Sequence, residues 1–315
     1  MKYFAVVNDG LEQTAKLEIE EKLEVEAVVN KNVLEFETKK QLSMQSIRRL
    51  LIAVDKTKEL SRLNLGNFPK NSFKEGIGFK ILVEGVKGQE NRFKIAAETA
   101  KTIYDHITTK PKIELKKPDL LVVVFYNGES YFIGIDEKVS ELDARPYRVF
   151  PHSASFKGDL AYYFVRKSGH KPGEKFLSGF CKDGAIAIEA AKYSMEKVYA
   201  FDQSMPNVTA ARKNSKIAKA DIEVKKYSLE DLELKYGPDF FDTIIFHLTT
   251  KDENQINELY YQIDYILKKG GKLLVISRPS LELSFSDKFG LLEESNIQKG
   301  GEVHKVWLFQ KIRCA

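Results

Sequence analysis

This 315-residue chain is poor in sulfur and imidazole: it has two cysteines, Cys181 and Cys314, and five histidines. So few thiols argue against a disulfide framework and read as reduced cysteines in a cytoplasmic protein. The same scarcity argues against a structural zinc site, so no metal is expected. Long apolar runs are missing as well, which leaves no membrane span and no membrane partner to expect. The opening stretch 1-MKYFAVVNDGLEQ-13 has an apolar run too short for a signal peptide. No low-complexity segment and no tandem array interrupts the chain. Net charge is only +5, so the whole-chain value does not demand a polyanionic partner.

What is present suits a globular protein with a good core: 43% of residues are hydrophobic and 30% charged. The length suggests about two domains. Charge is unevenly spread. Residues 56–117 hold 14 Lys and Arg against 7 Asp and Glu, a net +7, which leaves −2 for the remainder. Phe68, Phe73, Phe79 and Phe93 are interleaved with that basic excess. Basic and aromatic residues together make a nucleic-acid surface; the alternative is a solvated face over ordinary core aromatics.

Hydrophobic periodicity divides the chain. Residues 3–8 read as a strand and 11–23 as an amphipathic helix, with Leu11, Ala15, Ile19 and Leu23 at helical spacing. Two strands follow around 26–30 and 33–37, and a second helix is expected over 40–54. The β-α-β-β-α order resembles a ferredoxin-like unit. A strand at 78–85, a helix near 91–107 and two strands turning at Asn127–Gly128 make a second unit. From residue 158 strands and helices alternate, which argues for a mostly parallel sheet covered on both faces. Expected helices there are 158–168, 205–219 and 252–269. Expected strands are 197–202, 221–226, 242–247 and 272–277, with an antiparallel end at about 291–295 and 302–312. Within this half, 175-KFLSGFCKDGAIAIEAA-191 reads as a buried strand, a Gly-bounded turn and an Ala-rich helix. That is how a doubly wound domain offers helix-start amides to a nucleotide-like ligand. Asp202 ends the next strand, 24 residues past Ser178, where a carboxylate can accept from ribose hydroxyls.

Three segments together resemble a known family: 116-KKPDLLVVVFYNGESYFIGID-136, 145-RPYRVFPHSASFKGDLAYYFVR-166 and the 175–191 unit. The chain resembles the THUMP-domain RNA methyltransferases, nearest to the archaeal and eukaryotic tRNA guanine-N2 methyltransferases. The most specific part is Pro118, Asp119, Gly134, Ile135, Asp136, Arg145, Tyr147, Arg148 and His152. The resemblance implies an N-terminal ferredoxin-like domain (1–55), a THUMP domain (56–144), a linker (145–157) and a Rossmann-like methyltransferase domain (158–315). The fold class is then α/β, with a C-terminal S-adenosylmethionine (SAM) methyltransferase sheet preceded by an α+β region. It further implies SAM as cofactor, held near Ser178, Phe180, Gly184, Asp202 and Ser228. His247 and Thr249 stand where relatives place the base-holding residues. Lys116, Lys117, Arg145, Arg148, His152 and Lys157 are the residues to meet RNA, expected to be tRNA.

The chain also departs from the family pattern. Relatives read approximately D-P-F-C-G-T-G-T where this chain has 178-SGFCKDGA-185, so Ser178 replaces an acid, Lys182 a glycine and Asp183 a threonine. Asp183 is expected to face the methionine carboxylate of SAM, where like charge is unfavourable. After the fourth strand relatives carry N-P-P-Y or D-P-P-Y, whose aromatic stacks on a flipped base; here it is 247-HLTT-250. A cysteine-based mechanism has no nucleophile beside that strand, because Cys181 lies in a different loop. Two readings follow. One is a working guanine-N2 methyltransferase with an altered site. The other is an RNA-binding protein, or the partner of an active subunit, that has lost catalysis. A small-molecule methyltransferase is a weaker third, opposed by the THUMP-like half.

Overall fold

The computed structural model describes all residues except 70, 71, 108, 110, 138, 140, 250, 251, 282, 284, 285 and 313–315. Thr250 and Cys314 therefore lie outside the described residues. The chain forms two compact units, Met1–Asp143 and Ala144–Ala315.

The first unit is one eight-stranded sheet with two helices. In chain order its elements are β1 (Lys2–Val6), α1 (Glu12–Leu23), β2 (Val28–Asn30), β3 (Val33–Glu37), β4 (Arg49–Thr57), β5 (Gly78–Glu84), α2 (Gln89–His106), β6 (Lys112–Ile113), β7 (Leu120–Tyr126) and β8 (Tyr131–Asp136). The strand order is β2-β3-β1-β4-β8-β7-β5-β6. Both faces of the sheet are apolar. Ala15, Ile19 and Leu23 of α1 pack with Ala5, Leu34 and Phe36. Ile103 of α2 joins Phe68, Phe73, Phe79 and Val122. Three of the four phenylalanines in the basic segment are thus core residues. Phe93 is 77% exposed.

The helix expected over 40–54 does not form. Arg49–Thr57 instead becomes β4, paired with both β1 and β8. The cause is a buried acid. Glu18 on α1 is fully buried and accepts from the amides of Gln45 (2.8 Å) and Ser46 (2.8 Å), and from the Ser46 hydroxyl. Those amides are lost to an i→i−4 helix ladder, and the β-rich run Leu50–Val54 completes the sheet. Lys22 balances the carboxylate at 2.6 Å.

The second unit holds α3 (Gly158–Lys167), β9 (Phe176–Gly179), α4 (Ala185–Ser194), β10 (Val198–Asp202), α5 (Met205–Ala218), β11 (Ile222–Lys226), α6 (Leu232–Lys235), β12 (Phe241–His247), α7 (Glu253–Ile266), β13 (Leu267–Ser277), β14 (Phe289–Lys299) and β15 (Glu302–Lys311). Its sheet runs β11-β10-β9-β12-β13-β15-β14. The first five strands are parallel, and β15 is antiparallel to both β13 and β14. Alternating strands and helices thus give the doubly wound, Rossmann-like sheet expected from the pattern. One boundary moved: β13 runs through Gly270–Gly271, where a helix had been expected to reach residue 269. The order of winding reverses between β9 and β12, which run parallel, and the crevice at such a switch point is where doubly wound folds bind ligands.

Replacing Glu18 with Ala would strand three buried donors. The expected loss is at least about 2 kcal/mol of stability, each unsatisfied group costing about 1–3 kcal/mol. Urea unfolding of the full chain monitors it; a Glu18→Ala midpoint equal to wild type would remove Glu18 as the anchor of this segment.

Candidate functional site

β9 ends beside β12, with Gly179 in register with Phe246. A Cβ on Gly179 would lie 2.0 Å from the Phe246 ring, so only glycine allows the two strands to end together. The loop that follows is strained. Phe180 (φ 51°) and Lys182 (φ 53°) both sit in the left-handed region, as does Gly184 (φ 83°). Glycine tolerates that region freely; a side chain there costs roughly 1 kcal/mol. Gly184 has a second reason: a Cβ would lie 3.0 Å from Ala211 Cβ on α5.

Lys182 is 7% exposed, and its chain runs inward across the crevice. Its ammonium nitrogen lies 2.9 Å from His247 Nδ1 and 3.4 Å from the His247 carbonyl. Burial, and then the Lys182 charge, hold the His247 pKa well below its ordinary value, so the ring is neutral and accepts from the amine. Burial depresses Lys182 itself to about 8, against the opposing pull of Asp202. Phe156 lies against the His247 ring at 4.6 Å between centroids. His304, on β15, is 5.3 Å from Phe156; it is 4% exposed, and its Nδ1 has no hydrogen-bond partner among the described residues. Lys299 stands over Phe156 at 5.3 Å and donates to the Ser153 carbonyl.

The two acids near the loop are committed elsewhere. Asp183 is fully buried, and its Oδ2 accepts from Arg148 (2.8 Å) and from the His152 amide (3.1 Å). Its Oδ1 caps α4 by accepting from the Ala185 amide. Asp183 was expected to face the methionine carboxylate; the structure turns it into an internal ion pair instead. Glu189, fully buried on α4, accepts from Arg145 Nε at 2.8 Å and from the Tyr147 hydroxyl at 2.6 Å. Burial opposes the Arg145 charge, but Glu189 more than offsets it and the guanidinium pKa is raised; burial and Glu189 together raise Tyr147 well above the phenol range. Asn214 of α5 completes the lattice, exchanging hydrogen bonds with the Phe150 backbone and donating to the Asp183 carbonyl.

Among the residues expected to hold SAM, Ser178 and Phe180 line this crevice, Gly184 stands at the start of α4 and Asp202 ends β10. Asp202 Oδ2 accepts from the Lys182 amide at 2.9 Å, and Oδ1 from the Ser204 amide and Asn207. Ser228 is bound to Asp231 through both amide and hydroxyl. Of the catalytic pair, His247 is buried in the crevice and Thr249 is exposed. Cys181 is buried, and burial raises its thiol pKa, so it is no nucleophile. The RNA-side residues divide. Lys116, Lys117 and Lys157 are exposed, whereas Arg145 is 8% exposed with its charge turned onto Glu189. Arg148 is spent on Asp183, and His152 is half-buried with Nδ1 accepting from the Ala154 amide. Glu189 and His304 escaped the sequence reading. Glu189 had left a trace, as the one acid within 185-AIAIEAA-191; His304 had left none.

Residues 145–283 match the UPF0020 family model, described as an RMKL-like methyltransferase domain. Solved structures agree over the full length. TrmN from Thermus thermophilus aligns at 19% identity and TM-score 0.80, covering 99% of each chain. A possible methylase from Clostridium difficile 630 aligns at 16% identity and TM-score 0.77, over 100% of this chain and 99% of that one. A candidate methyltransferase complexed with SAH, SMU.472, aligns at 16% identity and TM-score 0.74 with the same coverage. At such identities the structures speak for the fold. The family model adds that residues 145–283 are similar to a methyltransferase domain.

The pocket beside His247, which Asp202 does not line, has no room for SAM in the arrangement seen. Between Phe156, Ser178, Lys182, Ile186 and His247 only about 10 Å³ remains open. That is room for about one water, whereas a nucleoside-sized ligand needs on the order of 300 Å³ or more.

Two outcomes are expected from these contacts. Glu189→Ala removes the carboxylate that Arg145 and Tyr147 donate to and should destabilise the protein by about 3–5 kcal/mol in urea unfolding. Lys182 binds its proton more weakly folded than unfolded, so folding releases protons between pH about 8 and about 10.4. Stability should therefore rise as pH increases through that window and be lower below it. A Lys182→Met variant, compared by chemical denaturation across the window, should lose that rise.

Proposed function

We propose that this chain is an RNA-binding protein built on a SAM-methyltransferase scaffold, that its RNA is tRNA, and that the wild-type crevice does not transfer methyl groups. One observation carries the last point: the Lys182 amine lies 2.9 Å from His247 Nδ1, inside a crevice with about 10 Å³ left open. RNA binding draws on the first unit, with residues 1–55 as a ferredoxin-like part and 56–144 as the THUMP part. The net +7 of residues 56–117 supplies phosphate contacts that position a substrate without reading its bases. Lys116 and Lys117 are exposed, and on α2 the exposed Phe93 stands between exposed Arg92 and Lys94. An aromatic ring flanked by cations is the pairing that unstacked bases and their phosphates take.

A second reading, methyl transfer to guanine N2, is favoured by Asp202, which still ends β10 where a ribose would be met. The two readings separate in one experiment. The full chain is titrated with unmodified tRNA transcripts across a salt series and then incubated with labelled SAM. Binding without label transfer supports the proposal, and label in the tRNA establishes the second reading. Phe93→Ala should weaken binding by about 1–3 kcal/mol. Lys116→Ala and Lys117→Ala should each lower the salt slope by about one. Binding untouched by all three substitutions would rule out this surface.

A further inference from the structure

The arginines ahead of α3 are spent inside the second unit, yet the surface around them is strongly basic. Residues 145–220 hold 14 Lys and Arg against 6 Asp and Glu, a net +8. Four of those acids, Asp159, Asp183, Glu189 and Asp202, are buried, against two of the cations, Arg145 and Lys182. That leaves 12 cations and two acids, Glu174 and Glu196, at least partly exposed. We propose that the face formed by residues 147–150 with α4 and α5 binds a single-stranded stretch of RNA. Phe150 stacks an unpaired base there, and Lys192, Lys213 and Lys216 meet the phosphates. The proposal rests on the reading of the chain as an RNA-binding protein and adds a surface on the second unit to the one on the first.

Residues 145–150 cross the two helices as a fixed strip. Tyr147 donates to Glu189 on α4, and the Phe150 amide and carbonyl exchange hydrogen bonds with Asn214 on α5. Between those anchors Arg148 is bound to Asp183. The strip ends in an exposed ring: Phe150 is 40% exposed, beside Val149 at 58%. Cations stand over both of its aromatics. Lys192, one turn past Glu189 on α4, lies 5.8 Å from the Tyr147 ring centre, and Lys213 of α5 lies 4.6 Å from that of Phe150. Lys216 is exposed and follows Lys213 at a spacing of three, which keeps it on the same side of α5. No acidic residue occurs in α5. Among the described residues no carboxylate pairs with Lys192, Lys213 or Lys216, whereas Lys197 is bound to Glu223 at 2.6 Å.

A solvated lysine face is the ordinary alternative. Attraction to helix C-termini accounts for Lys192 and Lys216, each in the last turn of its helix. It accounts neither for Lys213, further back in α5, nor for a phenylalanine left in water on a backbone held at both ends. A ring fixed in advance loses little freedom when a base stacks on it, and such stacking is indifferent to base identity. Lys213 ends a flexible stem, so its ammonium can yield the ring to a base and turn to the adjoining phosphate. The occupant is a single strand, because a duplex keeps its bases stacked on one another and out of reach of the ring.

The test is fluorescence anisotropy of a labelled oligouridine strand, titrated with the full chain across a salt series, with circular dichroism confirming that each variant is folded. Phe150→Ala keeps the main-chain exchange with Asn214 and should weaken binding about 5- to 150-fold, while Phe150→Trp should retain it. Lys192→Ala, Lys213→Ala and Lys216→Ala should each lower the salt slope by about 0.7. Lys197→Ala removes the same charge from an existing ion pair and should leave the slope unchanged. A wild type that binds the strand, with affinity and slope unmoved by Phe150→Ala and the three lysine variants, overturns this face and leaves the RNA reading to the first unit. An equal drop in slope with Lys197→Ala reduces the effect to net charge and overturns it too. A wild type that binds neither the strand nor tRNA transcripts defeats the RNA reading itself, and this face with it.

Discussion

A carboxylate buried against the start of a helix must be met by a cation, and the second unit depends on meeting two. Asp183, in the β9–α4 loop, and Glu189, within α4, are both fully buried. Their partners, Arg148 and Arg145, come from one short segment ahead of α3. An unpaired buried charge costs several kcal/mol, so that segment cannot leave without the turn collapsing. The ion pairs fix where the loop lies, and the loop fixes where Lys182 points. Charge neutralisation at one end of the sheet thereby decides the shape of the crevice at the switch point.

The same loop shows how a ligand site can change character without a change of fold. Strand order, the glycine that lets β9 end against β12, and the acid at the end of β10 are all retained. What differs lies in side chains: a lysine across the crevice, a histidine receiving it and an aspartate drawn into the protein's own salt bridge. Backbone architecture and ligand chemistry are separable properties.

Legibility in the sequence followed the range of the interactions involved. The second unit was readable because its strands and helices alternate with clear periods, and because Gly, Asn and Asp mark the turns locally. The 40–54 segment was misread for the opposite reason. Its helical pattern is overridden by Glu18, which is 27 residues away from Gln45 in the chain. Ser178, Asp202 and His247 could be placed at or next to strand ends, and Gly184 at the start of α4, because motif spacing marks those positions. The commitments of Arg145 and Arg148 could not. Nothing local distinguishes an arginine facing RNA from one facing a buried glutamate 44 residues on. Three of the four phenylalanines in the basic stretch proved ordinary core, and only exposure singles out Phe93.

The Phe150–Asn214 exchange has a consequence for how the chain comes apart. Residues 145–157 were expected as a connector, yet Arg145, Tyr147, Arg148, Phe150 and His152 all have partners inside the second unit. Their contacts reach α4, α5 and the β9–α4 loop, so the stretch melts with the sheet rather than ahead of it. An excised fragment beginning at 158 would lose the arginines that meet Glu189 and Asp183 and the Phe150 carbonyl that accepts from Asn214. The smallest autonomous piece is therefore longer than the repeating strand-and-helix pattern.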